Sequence, residues 1–280
     1  MPVFETPGTV SLQVRLPIGR VVVMTVDEPR VSVDLIPLGR RGSDAIEDVA
    51  VTADDNDGRH VIRIEQKDRF RWGPIQIARG GDIEVRITCP PGSDLDLSGG
   101  STDLRAEGDL GEVSVQTASG DVTLETVRKK LQVKSASGDL SVPTIETDAS
   151  LITVSGDLRV GRVSGSLTAR SVSGDANIGT IRGPLTLSTT SGDIELKSVE
   201  AGEVRIQSVS GDARIGVGRG TRVWIDAVSV SGKLDSELGL ADNEPERDES
   251  EQDGGAVVPL QVKTVSGDVK IVRAAEAFST

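Results

Sequence analysis

Aspartate is the residue whose spacing in this chain could do chemistry. The triplet Ser-Gly-Asp stands at 119–121, 137–139, 155–157, 173–175 and 191–193, each starting eighteen positions after the one before. Ser101-Thr102-Asp103 extends the series upstream. The triplets at 210–212 and 266–268 continue it downstream, with Ser231-Gly232-Lys233 as a variant. Carboxylates that return at a fixed interval invite three readings: a cation site, an acid–base pair, or a structural cap. Calcium-binding β-rolls use two Gly- and Asp-rich turns per coil, one for each nonapeptide. Here the second half of the repeat reads Arg128-Lys129-Lys130-Leu131, Ser164-Gly165-Ser166-Leu167 or Arg182-Gly183-Pro184-Leu185, with no second Asp turn. A polysaccharide-acting enzyme needs two carboxylates flanking a groove. The residues two places after each Asp are instead a mixture: Arg105, Thr123, Ser141, Arg159, Asn177 and Glu195. An acidic pocket between Glu195 and a late acidic insertion stays open. The favoured reading is a cap, each Asp accepting backbone N–H groups at its own corner. Unit charges ~4.8 Å apart repel by roughly 0.9 kcal/mol in water and about 3.5 kcal/mol at an effective dielectric near 20, so such a column needs partners.

The other chemically able residues are few. His60 and Cys89 are the single histidine and the single cysteine, and both are read as structural. One cysteine excludes an intramolecular disulfide and a multi-cysteine zinc site. No catalytic residue, metal or cofactor is expected. One patch stands apart: Lys67-Asp68-Arg69-Phe70-Arg71-Trp72-Gly73-Pro74. Either the loop folds its aromatics over the side of the molecule, or Arg69, Phe70, Arg71 and Trp72 anchor a partner. Tryptophan and arginine are enriched at such anchors. The net charge of −13 and pI of about 4.7 argue against general phosphate-backbone binding, so no nucleic acid is expected.

The elements that must carry the Asp column are strands. With Ser as position 1, position 4 is Leu104, Val122, Leu140, Leu158, Ala176 and Ile194. Position 6 is Ala106, Leu124, Val142, Val160, Ile178 and Leu196. Positions 13 and 15 are Leu131/Val133, Ala149/Leu151, Leu167/Ala169 and Leu185/Leu187. This is the period-2 alternation of a half-buried strand. The spacing predicts a short strand at positions 3–6, a longer one at 13–17, and corners near 1–2, 7–8 and 10–12. Position 17 is Thr117, Ser135, Thr153, Ser171 and Thr189, small hydroxyls able to bond along a ladder or to freed backbone groups. Stacked like on like, the repeats make an all-β, single-stranded parallel β-solenoid with about 18 residues per coil. Failure of the six-residue aliphatic repeat at position 12 (Lys130, Asp148, Ser166, Pro184) favours a right-handed β-helix. About ten coils would stand roughly 48 Å tall.

Residues 1–82 lack the 18-residue step but still alternate, as in Val10/Leu12/Val14/Leu16. They are expected to form irregular, wider β coils that cap residues 83–280 within one continuous domain. Ile18-Gly19-Arg20-Val21 looks like a degenerate corner, and Ser43–Val49 reads as one helical turn. Residues 238–258 interrupt the last coils; from Asp242 to Asp253 there are seven acids and one Arg, which reads as a solvated, disordered loop. Lys263, Val269 and Ile271 then rejoin the pattern in what should be the last coil. Trp224, counted forward to position 15, should be core.

The chain resembles a bacterial family of unknown function labelled "putative adhesin", in its actinobacterial branch. The resemblance rests on the Ser-Gly-Asp repeats, Met1-Pro2-x-Phe4 with Thr6-Pro7, and Arg71-Trp72-Gly73-Pro74. It rests also on Pro90-Pro91-Gly92-Ser93 and on Val223-Trp224-Ile225 before the acidic insertion. It spans essentially the whole chain. It implies a right-handed parallel β-solenoid and brings no catalytic residues. The function expected is a non-enzymatic interaction scaffold binding a protein partner. The alternative is an adhesin-like surface protein exported without a classical signal. A calcium β-roll and a polysaccharide-acting enzyme rank lower. No basic-plus-apolar leader or membrane-length apolar run is seen, so a cytoplasmic location without membrane insertion is expected.

Overall fold

Inward valine, isoleucine and leucine at every second residue leave each repeat with an apolar stripe that only another repeat can cover. The computed structural model shows that outcome and describes residues 2–39, 42–56, 59–66, 82–238 and 257–274. The elements in chain order are β1 (Val3–Glu5), β2 (Val10–Thr25), β3 (Arg30–Pro37), α1 (Gly42–Ile46), β4 (Val49–Asn56), β5 (Arg59–Gln66), β6 (Ile83–Cys89) and β7 (Ser93–Ser119). There follow β8 (Val122–Val127), β9 (Leu131–Ser137), β10 (Leu140–Ile145), β11 (Ala149–Ser155), β12 (Leu158–Val163), β13 (Leu167–Ser173), β14 (Ala176–Ile181), β15 (Leu185–Ser191), β16 (Ile194–Val199), β17 (Val204–Ser210) and β18 (Ala213–Val217). Last come β19 (Arg222–Ser231), β20 (Leu234–Ser236), β21 (Val257–Ser266) and β22 (Val269–Arg273).

Two strands make one coil, and each pairs in parallel with its copy in the next coil. Leu140 lies beside both Val122 and Leu158, and Ala149 beside both Leu131 and Leu167. The 22 strands of the described residues join in one mostly parallel sheet wound as a β-solenoid. The expected corner at positions 7–8 is a bend within a continuous strand. The first strand of each coil runs on to position 9 and bends, so that Val122, Leu124 and Val127 all turn inward. The corner glycine is required by geometry. Gly156 has φ +127°, and a Cβ there would sit 2.1 Å from the Gly138 carbonyl oxygen of the coil below. Position 17 hydroxyls serve freed backbone: Thr117 Oγ1 donates to Ser119 O at 2.8 Å, and Ser135, Ser171 and Ser208 bond likewise two residues on.

The two ends differ. At the first end β2 is itself a coil, with Gly19 beside Thr102 and Arg20 beside Asp103, so Ile18-Gly19-Arg20 does occupy a corner. β5 and β6 stack on the outer side of β2 in parallel. Antiparallel strands then finish this end: β4 on β5, β3 on β6, and β1 on β3.

At the other end the spatial order departs from the sequence order. β21 pairs with β17 on one side and β19 on the other, and β22 pairs with β18 and β20. Residues 257–273 are therefore the penultimate coil and not the last one. The chain passes a slot, builds the terminal coil with β19 and β20, and returns to fill the slot. Trp224 also departs from expectation, being exposed. The extra residues of this repeat fall in the 218–221 corner, so Ile225 pairs with Leu260 and Ala227 with Val262, and Trp224 points outward beside Pro259.

Candidate functional site

The Asp column is a hydrogen-bonded zipper between coils. Asp121 N–H donates to Asp103 Oδ1 at 3.2 Å, Asp139 N–H to Asp121 Oδ1 at 2.9 Å, and Asp157 N–H to Asp139 Oδ1 at 3.0 Å. The series continues through Asp175, Asp193, Asp212 and Asp268 and ends on Lys233 N–H. Each carboxylate thus accepts from the next coil and not from its own corner, which corrects the sequence expectation. Arg159 adds a bridge, 2.9 Å to Asp139 and 2.7 Å to Asp157. Asp139 is held below the usual carboxylate range, first by the Asp157 backbone N–H and then by Arg159. Asp148, on the other corner, is lowered by the Ser166 hydroxyl and backbone N–H. A general acid requires the reverse shift. Among the described residues, no group of three or more His, Cys, Asp or Glu is arranged to hold a metal ion.

Two charged hollows lie along the Asp side. One of about 580 Å³ is lined by Arg20, Glu84, Arg86, Asp103, Arg105 and Asp121. Its arginines are engaged: Arg20 with Glu84 and Asp103, Arg86 with Glu84 at 2.5 Å, and Arg105 with Glu107 at 2.8 Å. The other, about 460 Å³, holds Glu195 beside Asp175, Asp193, Asp212 and Asp268, with Arg214 and Lys270 in line with Glu195 on the next two coils. The insertion expected to complete an acidic pocket there falls mostly outside the described residues.

A feature the sequence reading overlooked is on the second strand of each coil. Position 18 points outward and forms a row in spatial order: Ala118, Ala136, Val154, Val172, Thr190, Val209, Val265 and Val230. All eight are exposed and none is charged. The valines are about half exposed, rising to 77% at Val230. Buried hydroxyls at position 17 fix the direction of this row, because the alternation puts position 18 on the opposite face. Near the terminal coil the row opens into a groove of about 560 Å³ lined by Val209, Val228, Val230, Val265, Gln207 and Lys263. Among the described residues its one charged lining residue is Lys263. The signal was present in the sequence as apolar residues at an outward position.

Arg69, Phe70, Arg71 and Trp72 lie outside the described residues. His60 faces Asp55 at 4.0 Å, and among the described residues no further catalytic group completes a relay there. Cys89 is fully buried, and burial pushes its thiol up to about 11 despite the Ser93 hydroxyl. No helix among the described residues is long and apolar enough to cross a membrane.

This geometry defines a parallel β-solenoid protein whose polar column is structural and whose side carries an uncharged aliphatic row. The family model described as Toastrack DUF4097 matches residues 19–272, and the chain belongs to that family. Two solved structures are similar over nearly their whole length. One is a "putative adhesin" from Bacteroides fragilis, 14% identical, with TM-score 0.45 and coverage of 96% of this chain and 95% of that one. The other is a "putative cell adhesion protein" from Clostridium sporogenes, 11% identical, with TM-score 0.23 and coverage of 97% and 98%. No curated protein matches the chain.

Proposed function

We propose that the protein is a non-enzymatic interaction module that binds a protein partner along its aliphatic row. The observation that supports this reading is the run of exposed, uncharged position-18 side chains leading into the Val209–Val230–Val265 groove. Burying one half-exposed valine is worth about 1 kcal/mol, so four in line with the groove supply a few kcal/mol before any hydrogen bond. Soluble proteins seldom leave such a patch without a use. The Asp column competes poorly as a catalytic site, because one oxygen of each carboxylate already takes the backbone N–H of the next coil.

The test is site-specific photocrosslinking in the native cell, with the crosslinker at Val172 or Val209 and, as control, at Thr186. A discrete protein adduct from the two valine positions, lost on Val265→Lys, is the expected result. Adducts that arise equally from Thr186 would sink the reading. A parallel Phe70→Ala/Trp72→Ala variant separates the row from the basic-aromatic loop: loss of the adduct there would move the site to the loop.

A further inference from the structure

The terminal coil is built to be covered, and among the described residues nothing covers it. Among the described residues β19 pairs only with β21, and β20 only with β22, whereas the coils beneath pair on both sides. Leu234 occupies core position 4, where Val269 directly below it is 1% exposed and Ala213 3%; Leu234 itself is 52% exposed. Val223, Ile225 and Ala227 touch the core yet are only partly buried. A ten-residue strand edge and the open end of an aliphatic stack therefore share one surface. Such an edge is an active template for strand addition.

Among the described residues no strand covers it. Residues 239–256 leave from this coil and are as many as one coil needs, but 242–253 hold seven acids, and Leu240 is their one large aliphatic. A coil here needs four or more aliphatic positions. Residues 67–81 join β5 to β6 at the opposite end. The described strands at the head of another copy do not match it either. The head is finished by antiparallel β4, with exposed Asp54 and Asp55, and by the three-residue β1. The surface that remains, with the same open edge and the same aliphatic section, is a second tail. β19 carries one acid, Asp226, and one base, Arg222, so pairing it with itself sets no row of like charges face to face.

We propose that two copies associate tail to tail, β19 against β19 in antiparallel fashion about a twofold axis, giving a closed dimer. An isologous contact of this kind ends growth, whereas head-to-tail stacking would build filaments. Each copy carries seven acids and one Arg over 242–253, a net −6, in the stretch that follows β20, so two copies repel each other. Their repulsion is screened by salt, so the dimer should tighten as ionic strength rises.

Sedimentation velocity on the full chain tests this at about 1 and about 100 µM, a span that brackets transient and stable pairs. The expected mass at the upper concentration in moderate salt is twice 29.3 kDa. Leu234→Asp should weaken association at least about tenfold with an unchanged fold, since that side chain is already half in water. Val172→Lys, on the side row, should leave the dimer intact, which separates this contact from the partner-binding row. Ala227→Cys, near the middle of β19, should crosslink to its own copy on oxidation, with buried Cys89 silent. A monomer at the upper concentration in moderate salt overturns the proposal. So does a dimer untouched by both Leu234→Asp and Ile225→Asp, and so do polymers that lengthen with concentration.

Discussion

Replacing Asp193 separates its two roles, because the residue both accepts a hydrogen bond and carries a charge. Asp193 Oδ1 accepts the Asp212 N–H at 2.9 Å, and its own N–H goes to Asp175 Oδ1 at 2.8 Å. The neighbouring carboxylates lie one coil away on each side, ~4.8 Å by strand spacing. Each repels it by roughly 0.9 kcal/mol in water, reduced to about 0.5 kcal/mol by salt with a Debye length near 8 Å. Two neighbours therefore cost about 1 kcal/mol. The bond it accepts contributes about 1.5 kcal/mol when charged and about 1 kcal/mol when neutral. Asp193→Asn keeps a neutral bond and removes the repulsion, so it should stabilise by about 0.5 kcal/mol in physiological salt. Asp193→Ala removes both, for a net loss of about 0.5 kcal/mol. In about 1 M salt the repulsion fades, and the two variants should lose about 0.5 and about 1.5 kcal/mol. Urea unfolding gives these differences, and hydrogen exchange at the Asp212 amide reads the bond directly. That amide should stay protected in the Asn variant and open in the Ala variant. Should Asn prove as damaging as Ala, with calcium stabilising only the parent, the column is a cation site and the reasoning fails.

Gly156→Ala combines backbone strain of roughly 1–3 kcal/mol with a Cβ 2.1 Å from a carbonyl oxygen, and should cost about 3 kcal/mol or more by chemical denaturation. Gly8→Ala meets nothing within 4 Å and should stay within about 0.5 kcal/mol. Asp139 is held below its ordinary range in the folded state, so its contribution is present above the unfolded pKa of about 3.9 and is lost as pH falls through the folded value. Asp139→Asn should flatten the acid limb of the melting profile, and an unchanged limb would contradict the Asp157 and Arg159 contacts. Cys89, buried and raised to about 11, should resist thiol reagents near pH 8 until the first coils open, so fast labelling of native protein would contradict its placement. Leu260 lies between Val204 and Ile225, so Leu260→Ala should cost about 2–4 kcal/mol and raise amide exchange in both β17 and β19; exchange confined to β17 would refute the inserted coil.

What the sequence made legible is what repeats. Inward positions 4, 6, 13 and 15, the Gly corner and the hydroxyl at 17 each follow from one residue type recurring against one physical need. The same recurrence hides the order of the last coils. Val204, Ile225 and Leu260 offer equivalent partners to one another, so strand pairing is degenerate in sequence and only the connections decide which coil lies where. Trp224 is misplaced by the periodicity for a related reason. Counting forward from Ser210 puts it at position 15, while counting back from Ser231 puts Ala227 there, and the repeat does not say in which corner the extra residues reside. The Asp contacts were half legible: an acceptor role followed from charge and turn chemistry. That the donor lies in the next coil follows only once the coils stack.

Stacking also explains why the two ends of the molecule differ physically. A solenoid has no intrinsic stop, since each coil presents to solvent the edge that its predecessor presented to it. Antiparallel β1, β3 and β4 break that rule at one end, because a reversed strand exposes a register that a further parallel coil does not match. The inserted coil does not break it at the other. It is held on both faces, so β21 and β22 are locked inside while β19, made earlier in sequence, is left as the boundary. The exposed edge therefore belongs to a strand whose inward side chains still follow the aliphatic pattern. A boundary of that composition gains from anything that continues the stack, and in the proposed dimer the symmetry of a second identical tail continues it once and then stops.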